Sequence, residues 1–184
     1  MMNNDTVYIK FSQWVDFNSI EKMTHLVLEQ LENGVKHFIL LMSSPGGNVH
    51  AGISGYNFLN GIPAEVVTHN YGSVGSIAVV LFCAGVKRFS VPHATFILHG
   101  VVLDMKAHLK LNEKDLEEQL SNMKADREIM SRVLSDTTGR DHTQVELDIL
   151  KGIVLNSEQA LEYGIVHEVK TELFKKGAKV LEIT

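Results

Sequence analysis

A single cysteine, three prolines and one tryptophan stand among 184 residues, and each scarcity closes off a class of protein. One thiol cannot form an intramolecular disulfide, which fits a reducing compartment. Cys83 lies in Val-Val-Leu-Phe-Cys-Ala-Gly, a setting in which a free cysteine serves as a small buried hydrophobe. The longest strongly apolar run, residues 76–84, is far short of the ~20 residues that span a bilayer. The opening Met-Met-Asn-Asn-Asp-Thr has neither a basic nor an apolar segment, so no secretory signal is read there and a cytoplasmic location is expected. The 17 Lys and Arg are dispersed, and the formal charge of -5 with a pI near 6.0 leaves no basic face for nucleic acid. None of the nine histidines falls in a metal-ligand spacing such as His-Glu-x-x-His, so no metal or other cofactor is expected.

What is present is a hydrophobic content of 45%, enough for one well-buried domain over residues 1–184 and too little chain for two of ordinary size. Strand and helix patterns alternate. Residues 7–11 read as a strand, 19–33 as an amphipathic helix stopped by Asn33-Gly34, and 37–42 as an apolar strand. Residues 49–59 suit a helix, 65–70 a strand, 76–83 a buried helix, and 86–90 and 94–99 two further short strands. The order predicts an α/β fold with a largely parallel core sheet. From about 104 to 137 the chain becomes charged, with Leu116, Leu120, Met123, Met130, Val133 and Leu134 at helical spacing. Such a long amphipathic helix projects beyond a compact domain, and its stripe needs a partner surface. Self-association supplies one, and folding back onto its own domain is the alternative.

Three segments carry chemistry. Residues 43–47, Ser-Ser-Pro-Gly-Gly, follow an apolar strand, where a parallel sheet places ligands. Adjacent glycines there let backbone N–H groups turn toward a carbonyl oxygen, as an oxyanion hole requires, although Pro-Gly-Gly is also a common turn. Residues 72–76, Gly-Ser-Val-Gly-Ser, open the buried helix. Ser76 in its first turn is placed as a nucleophile facing the strand ends, or simply as a helix-start residue. Ser73 is the rival hydroxyl, inside the turn. His99 ends an apolar strand 23 residues after Ser76, which suits a general base or a packed rim histidine.

Taken together these segments resemble the Clp protease proteolytic subunit, within the Clp and crotonase superfamily. The resemblance rests on Ser-Pro-Gly-Gly-x-Val-x-Ala-Gly at 44–52, Gly-Ser-Val-Gly-Ser-Ile-Ala at 72–78, Ala-Gly-x-x-Arg at 84–88, residues 92–99, and Ala-Leu-Glu-Tyr-Gly-Ile-Val at 160–166. It implies a repeated β-β-α superhelix with largely parallel core sheets and a projecting handle helix, here about 104–137. It also implies a serine endopeptidase acting on peptide or unfolded protein: Ser76 as nucleophile, His99 as base, and the backbone N–H groups of Gly47 and Ile77 as oxyanion hole. The handle, matched by residues 111–135, implies homo-oligomers, with heptameric rings joined face to face.

Two departures accompany the match. Ungapped alignment puts Gly152 where the family has its catalytic aspartate, and Lys151 where it has an arginine that helps ring assembly. Asp148 and Asp104 are the candidate replacements for the acid. Only six residues precede Val7, where family members carry a longer segment that meets an AAA+ unfoldase, so that partnership is doubtful. A non-catalytic assembly or regulatory subunit is the first alternative, favoured by Gly152. A crotonase-type enzyme acting on an acyl-CoA thioester is the second, but Gly-x-x-x-Ser followed by a strand-end histidine serves a nucleophile better than an enolate.

Overall fold

The computed structural model of the protein describes residues 5–103 and 110–183. Its first half alternates as expected: β1 (Thr6–Phe11), α1 (Phe17–Glu32), β2 (His37–Ser44), α2 (Val49–Gly61), β3 (Glu65–Gly75), α3 (Ile77–Phe82), β4 (Lys87–Ser90) and β5 (Thr95–Leu98). Then come α4 (Glu113–Thr138), α5 (His142–Lys151), β6 (Ile153–Asn156), α6 (Ser157–Tyr163), β7 (Glu168–Val169) and β8 (Val180–Glu182).

The strands form one eight-stranded sheet in the order β6-β5-β3-β2-β1-β8, with β4 lying between β3 and β7. Every pairing is parallel except β5 with β6. A parallel sheet needs both faces covered, and the central β2 buries Phe38, Leu40, Leu41 and Met42. Helix α1 starts where Asp16 and Ser19 cap each other's backbone N–H groups, and it lays Ile20, Met23 and Val27 into the core. All six residues of α3 are buried.

Two boundaries differ from expectation in ways that matter to function. Strand β3 continues to Gly75 rather than stopping near Asn70, because it is paired on both sides over that stretch. Ser44 aligns with Val74 on one side, and Ser73, Val74 and Gly75 align with Thr95, Phe96 and Ile97 on the other. Ladder hydrogen bonds there outweigh the weak strand propensity of two glycines. Ser76 accordingly precedes α3 instead of lying in its first turn.

The handle helix begins at Glu113 and runs 26 residues, or ~39 Å at 1.5 Å per residue. Its stripe divides. Met130 and Leu134 are buried against the core, whereas Leu116 and Leu120 are 53% and 52% exposed. The C-terminal half therefore packs within its own domain, against α3 and α5, and Leu116 and Leu120 in the N-terminal half stay exposed. Among the described residues no helix is long and apolar enough to cross a membrane.

Candidate active site

The parallel register brings the carboxyl ends of β2, β3 and β5 side by side. Ser44 lies beside Val74, Gly75 lies beside Ile97, and the Ser76 N–H donates to the Ile97 carbonyl at 2.7 Å. The turn after β2 is pressed onto the end of β3. A Cβ on Gly46 would lie 2.6 Å from Ser76 Cβ and 2.7 Å from the Gly75 carbonyl oxygen, closer than real Cβ contacts allow. Gly46 also has φ of 101°, so both space and backbone conformation call for glycine.

Gly47 is held from the other side. The Val15 N–H donates to Gly46 O at 2.8 Å, and the Asn48 N–H donates to Val15 O at 2.7 Å, an isolated parallel bridge between Val15 and Gly47. Such a bridge uses the peptide groups flanking Gly47, so Gly47's own N–H points away from Val15. Among the described residues neither that N–H nor the N–H of Ile77, first in α3, donates a hydrogen bond. Two backbone donors, one in the turn pressed against Ser76 and one in the residue that follows it, are thus without an acceptor among the described residues.

Ser76 has φ of 54° and ψ of -132°, the only positive φ at a non-glycine among the described residues. Holding such a conformation costs on the order of 1–3 kcal/mol and persists only where surrounding structure enforces it. The enforcing contacts are the Ile97 carbonyl on the Ser76 N–H and the buried α3 behind it. The Ser76 hydroxyl has no hydrogen-bond partner among the described residues. Ser73, the rival, is engaged: its Oγ accepts from Thr95 Oγ1 at 3.2 Å and its N–H donates to Ser43 Oγ at 3.4 Å.

His99 follows β5 and is half-buried. It lines a cleft of about 260 Å³ together with Ser43, Pro45, Ser73 and Ile97. Its Nδ1 is hydrogen-bonded to the Gly100 carbonyl at 2.7 Å. Among the described residues no hydrogen bond joins His99 to Ser76, although the β3–β5 register sets them on adjoining strand ends.

The structure does not bring Asp148 to His99. Its Oδ2 accepts from Tyr163 Oη at 2.8 Å and its Oδ1 from Gln144 Nε2 at 2.9 Å. Burial and then this carboxylate push the Tyr163 phenol up, so the pair is a neutral phenol donating to a carboxylate. Asp104 lies outside the described residues. Gly152 caps α5 with φ of 73°. Antiparallel pairing of Leu98 with Ile153, continued one step, sets Gly152 across from His99. A Cβ there would meet nothing within 4 Å.

Gly46 and the Ile97 carbonyl are site features that sequence reasoning passed over. The paired glycines signalled a turn, but the contact with Ser76 joins residues 30 apart in sequence. Nothing in the local pattern encodes it.

Comparison with known proteins agrees with this architecture. The Clp protease family profile matches residues 3–172. The ATP-dependent Clp protease proteolytic subunit 3 of Synechococcus sp. (strain CC9605) is 30% identical over 140 residues, 75% of this chain and 68% of that protein. Its counterpart in Parasynechococcus marenigrum (strain WH8102) is 29% identical over the same shares. A ClpP1 point mutant from Listeria monocytogenes superposes with a TM-score of 0.80 at 22% identity, covering 92% of this chain and 93% of that one. The profile spans nearly the whole sequence, and this chain belongs to the Clp protease family.

Proposed function

We propose that this protein is a serine-type peptidase subunit that cleaves peptide bonds through an acyl-enzyme on Ser76, with His99 as base. The observation that carries this is the Ser76 backbone. A strained serine, unbonded at its hydroxyl and set at the end of a central strand, has no packing purpose, whereas strain of this kind collects at sites of chemistry. Membership in the Clp protease family supports the same assignment at the level of the family.

In the proposed reaction His99 Nε2 accepts the Ser76 Oγ proton as Oγ bonds to the substrate carbonyl carbon. Negative charge passes to the carbonyl oxygen, which the free N–H groups of Gly47 and Ile77 receive. Collapse breaks the C–N bond, and the amine departs with the proton from His99. Water then repeats the sequence on the acyl ester. Peptides or unfolded protein are the proposed substrates. A homo-oligomer is the proposed working form, with the exposed Leu116 and Leu120 of the handle contributing to the contact.

A second reading, a non-catalytic assembly subunit, is favoured by Gly152, which among the described residues leaves no carboxylate across from His99. An active-site-directed fluorophosphonate and a short fluorogenic peptide separate the two. Ser76→Ala should abolish both labelling and hydrolysis, while Ser73→Ala keeps most of each. An unlabelled parent protein that hydrolyses nothing would decide for the assembly role, and equal loss in the two variants would remove Ser76 as the nucleophile.

A further inference from the structure

We infer that the Gly100 carbonyl takes the place of the orienting carboxylate, so that the site works as a serine–histidine pair whose third member is the peptide backbone. This rests on the proposed roles of Ser76 and His99 and concerns how that pair is poised. The His99 Nδ1 and Gly100 O are 2.7 Å apart, a strong hydrogen-bond distance. A carbonyl oxygen can only accept, so the shared proton sits on Nδ1. A neutral imidazole has one N–H, and Nε2 is left with its lone pair. That is the tautomer a base toward a serine hydroxyl requires, and the one that the acid selects in a serine–histidine–aspartate site.

Among the described residues, several features leave the role to this carbonyl. Gly152, across from His99, has no side chain to offer, and both Asp148 oxygens are occupied by Tyr163 and Gln144. Among the described residues, Gly100 O accepts from no other backbone donor and the Val101 N–H donates to no backbone acceptor. When Ser76 gives its proton to Nε2, the ring becomes a cation whose Nδ1–H still points at Gly100 O. The proton then leaves on the departing amine. A carbonyl dipole steadies that cation less than a full negative charge does, so the tautomer is secured while part of the electrostatic support is lost. Gly100 is thus a positioning residue.

The test reads the tautomer directly in the full chain. Long-range ¹⁵N–¹H spectra of histidine-labelled protein, with His99→Gln to assign the signal, should show Nδ1 protonated and Nε2 pyridine-like at neutral pH, whereas free histidine favours the opposite form. Replacing Val101 by its α-hydroxy analogue turns the Gly100 amide carbonyl into a weaker-accepting ester carbonyl and removes no other hydrogen bond among the described residues. The signal should move toward the Nε2–H form, with kcat for a model peptide falling roughly fivefold and KM unchanged. An Nε2–H signal in the parent, an ester variant with an unmoved signal, or loss of the Nδ1–H signature in Asp104→Asn or Asp148→Asn would overturn the inference. Should the ester variant not fold, the parent tautomer and the two Asn variants decide. The tautomer is read without substrate, so failure of Ser76 to label defeats the peptidase proposal and leaves this result standing or falling separately.

Discussion

Acid should weaken this fold through one histidine in the middle of its sheet. His69 lies on β3 between Leu41 and Phe89. It is 1% exposed, and its Nε2 has no hydrogen-bond partner. The Phe89 ring meets it edge-on at 5.8 Å, and the Lys170 ammonium stands 3.3 Å from the centre of that same ring. Burial first and the Lys170 charge second lower its pKa from 6.5 to about 4. The unfolded chain therefore takes up the proton before the folded one does. The stabilisation is fully present above about pH 6.5 and is lost as pH falls toward about 4. At 1.36 kcal/mol per unit the whole difference is about 3 kcal/mol, of which about 2 kcal/mol disappears between about pH 7.5 and 5. Urea unfolding at one fixed protomer concentration, followed by far-ultraviolet circular dichroism because Trp14 is 65% exposed, measures it. His69→Leu should shrink the acid loss by about that amount. His167, lowered by burial and then by Arg88, contributes in the same direction and remains in the variant. Identical pH dependence in parent and His69→Leu would refute the reasoning.

Gly46→Ala should destabilise the protein by about 1–3 kcal/mol and suppress serine labelling, because the new methyl displaces Ser76; a variant that labels at the parental rate would show that this contact does not set the nucleophile. Gly152→Asp should raise kcat for a model peptide, by at most about 10⁴, and lower stability by about 1 kcal/mol through its positive φ; a folded variant with no gain would mean that charge across from His99 does not limit the rate. Leu120→Glu, alone or with Met123→Glu, should dissociate the proposed homo-oligomer while leaving the melting profile of the core largely intact; light scattering that finds an assembled variant, or a monomeric parent at micromolar concentration, would remove the handle from the contact.

Much of the fold is legible along the chain, because strand and helix periods are local properties. The alternation through Leu98 and the apolar runs of β2 and α3 follow from residues within a few positions of one another. The hydroxyl, histidine and glycine segments of the site could be picked out for the same reason, and the family resemblance rests on their order.

The site's working geometry belongs to another level. Where β3 ends was decided by β2 and β5, since strand pairing joins distant residues and overrides the breaking tendency of Gly72 and Gly75. The α5–β6–α6 region, with short and weakly periodic elements, declares itself only through its packing and through the antiparallel pairing that sets Gly152 across from His99. The Ser76 conformation, the pressure of Gly46 on it, the free N–H groups of Gly47 and Ile77, and the turn of His99 toward Gly100 O are consequences of register and close approach. The sequence by itself determined which functional groups this protein possesses and roughly which elements bear them. Tertiary structure alone decided which of those groups face one another, because that depends on hydrogen bonds and steric contacts between segments that no local pattern encodes.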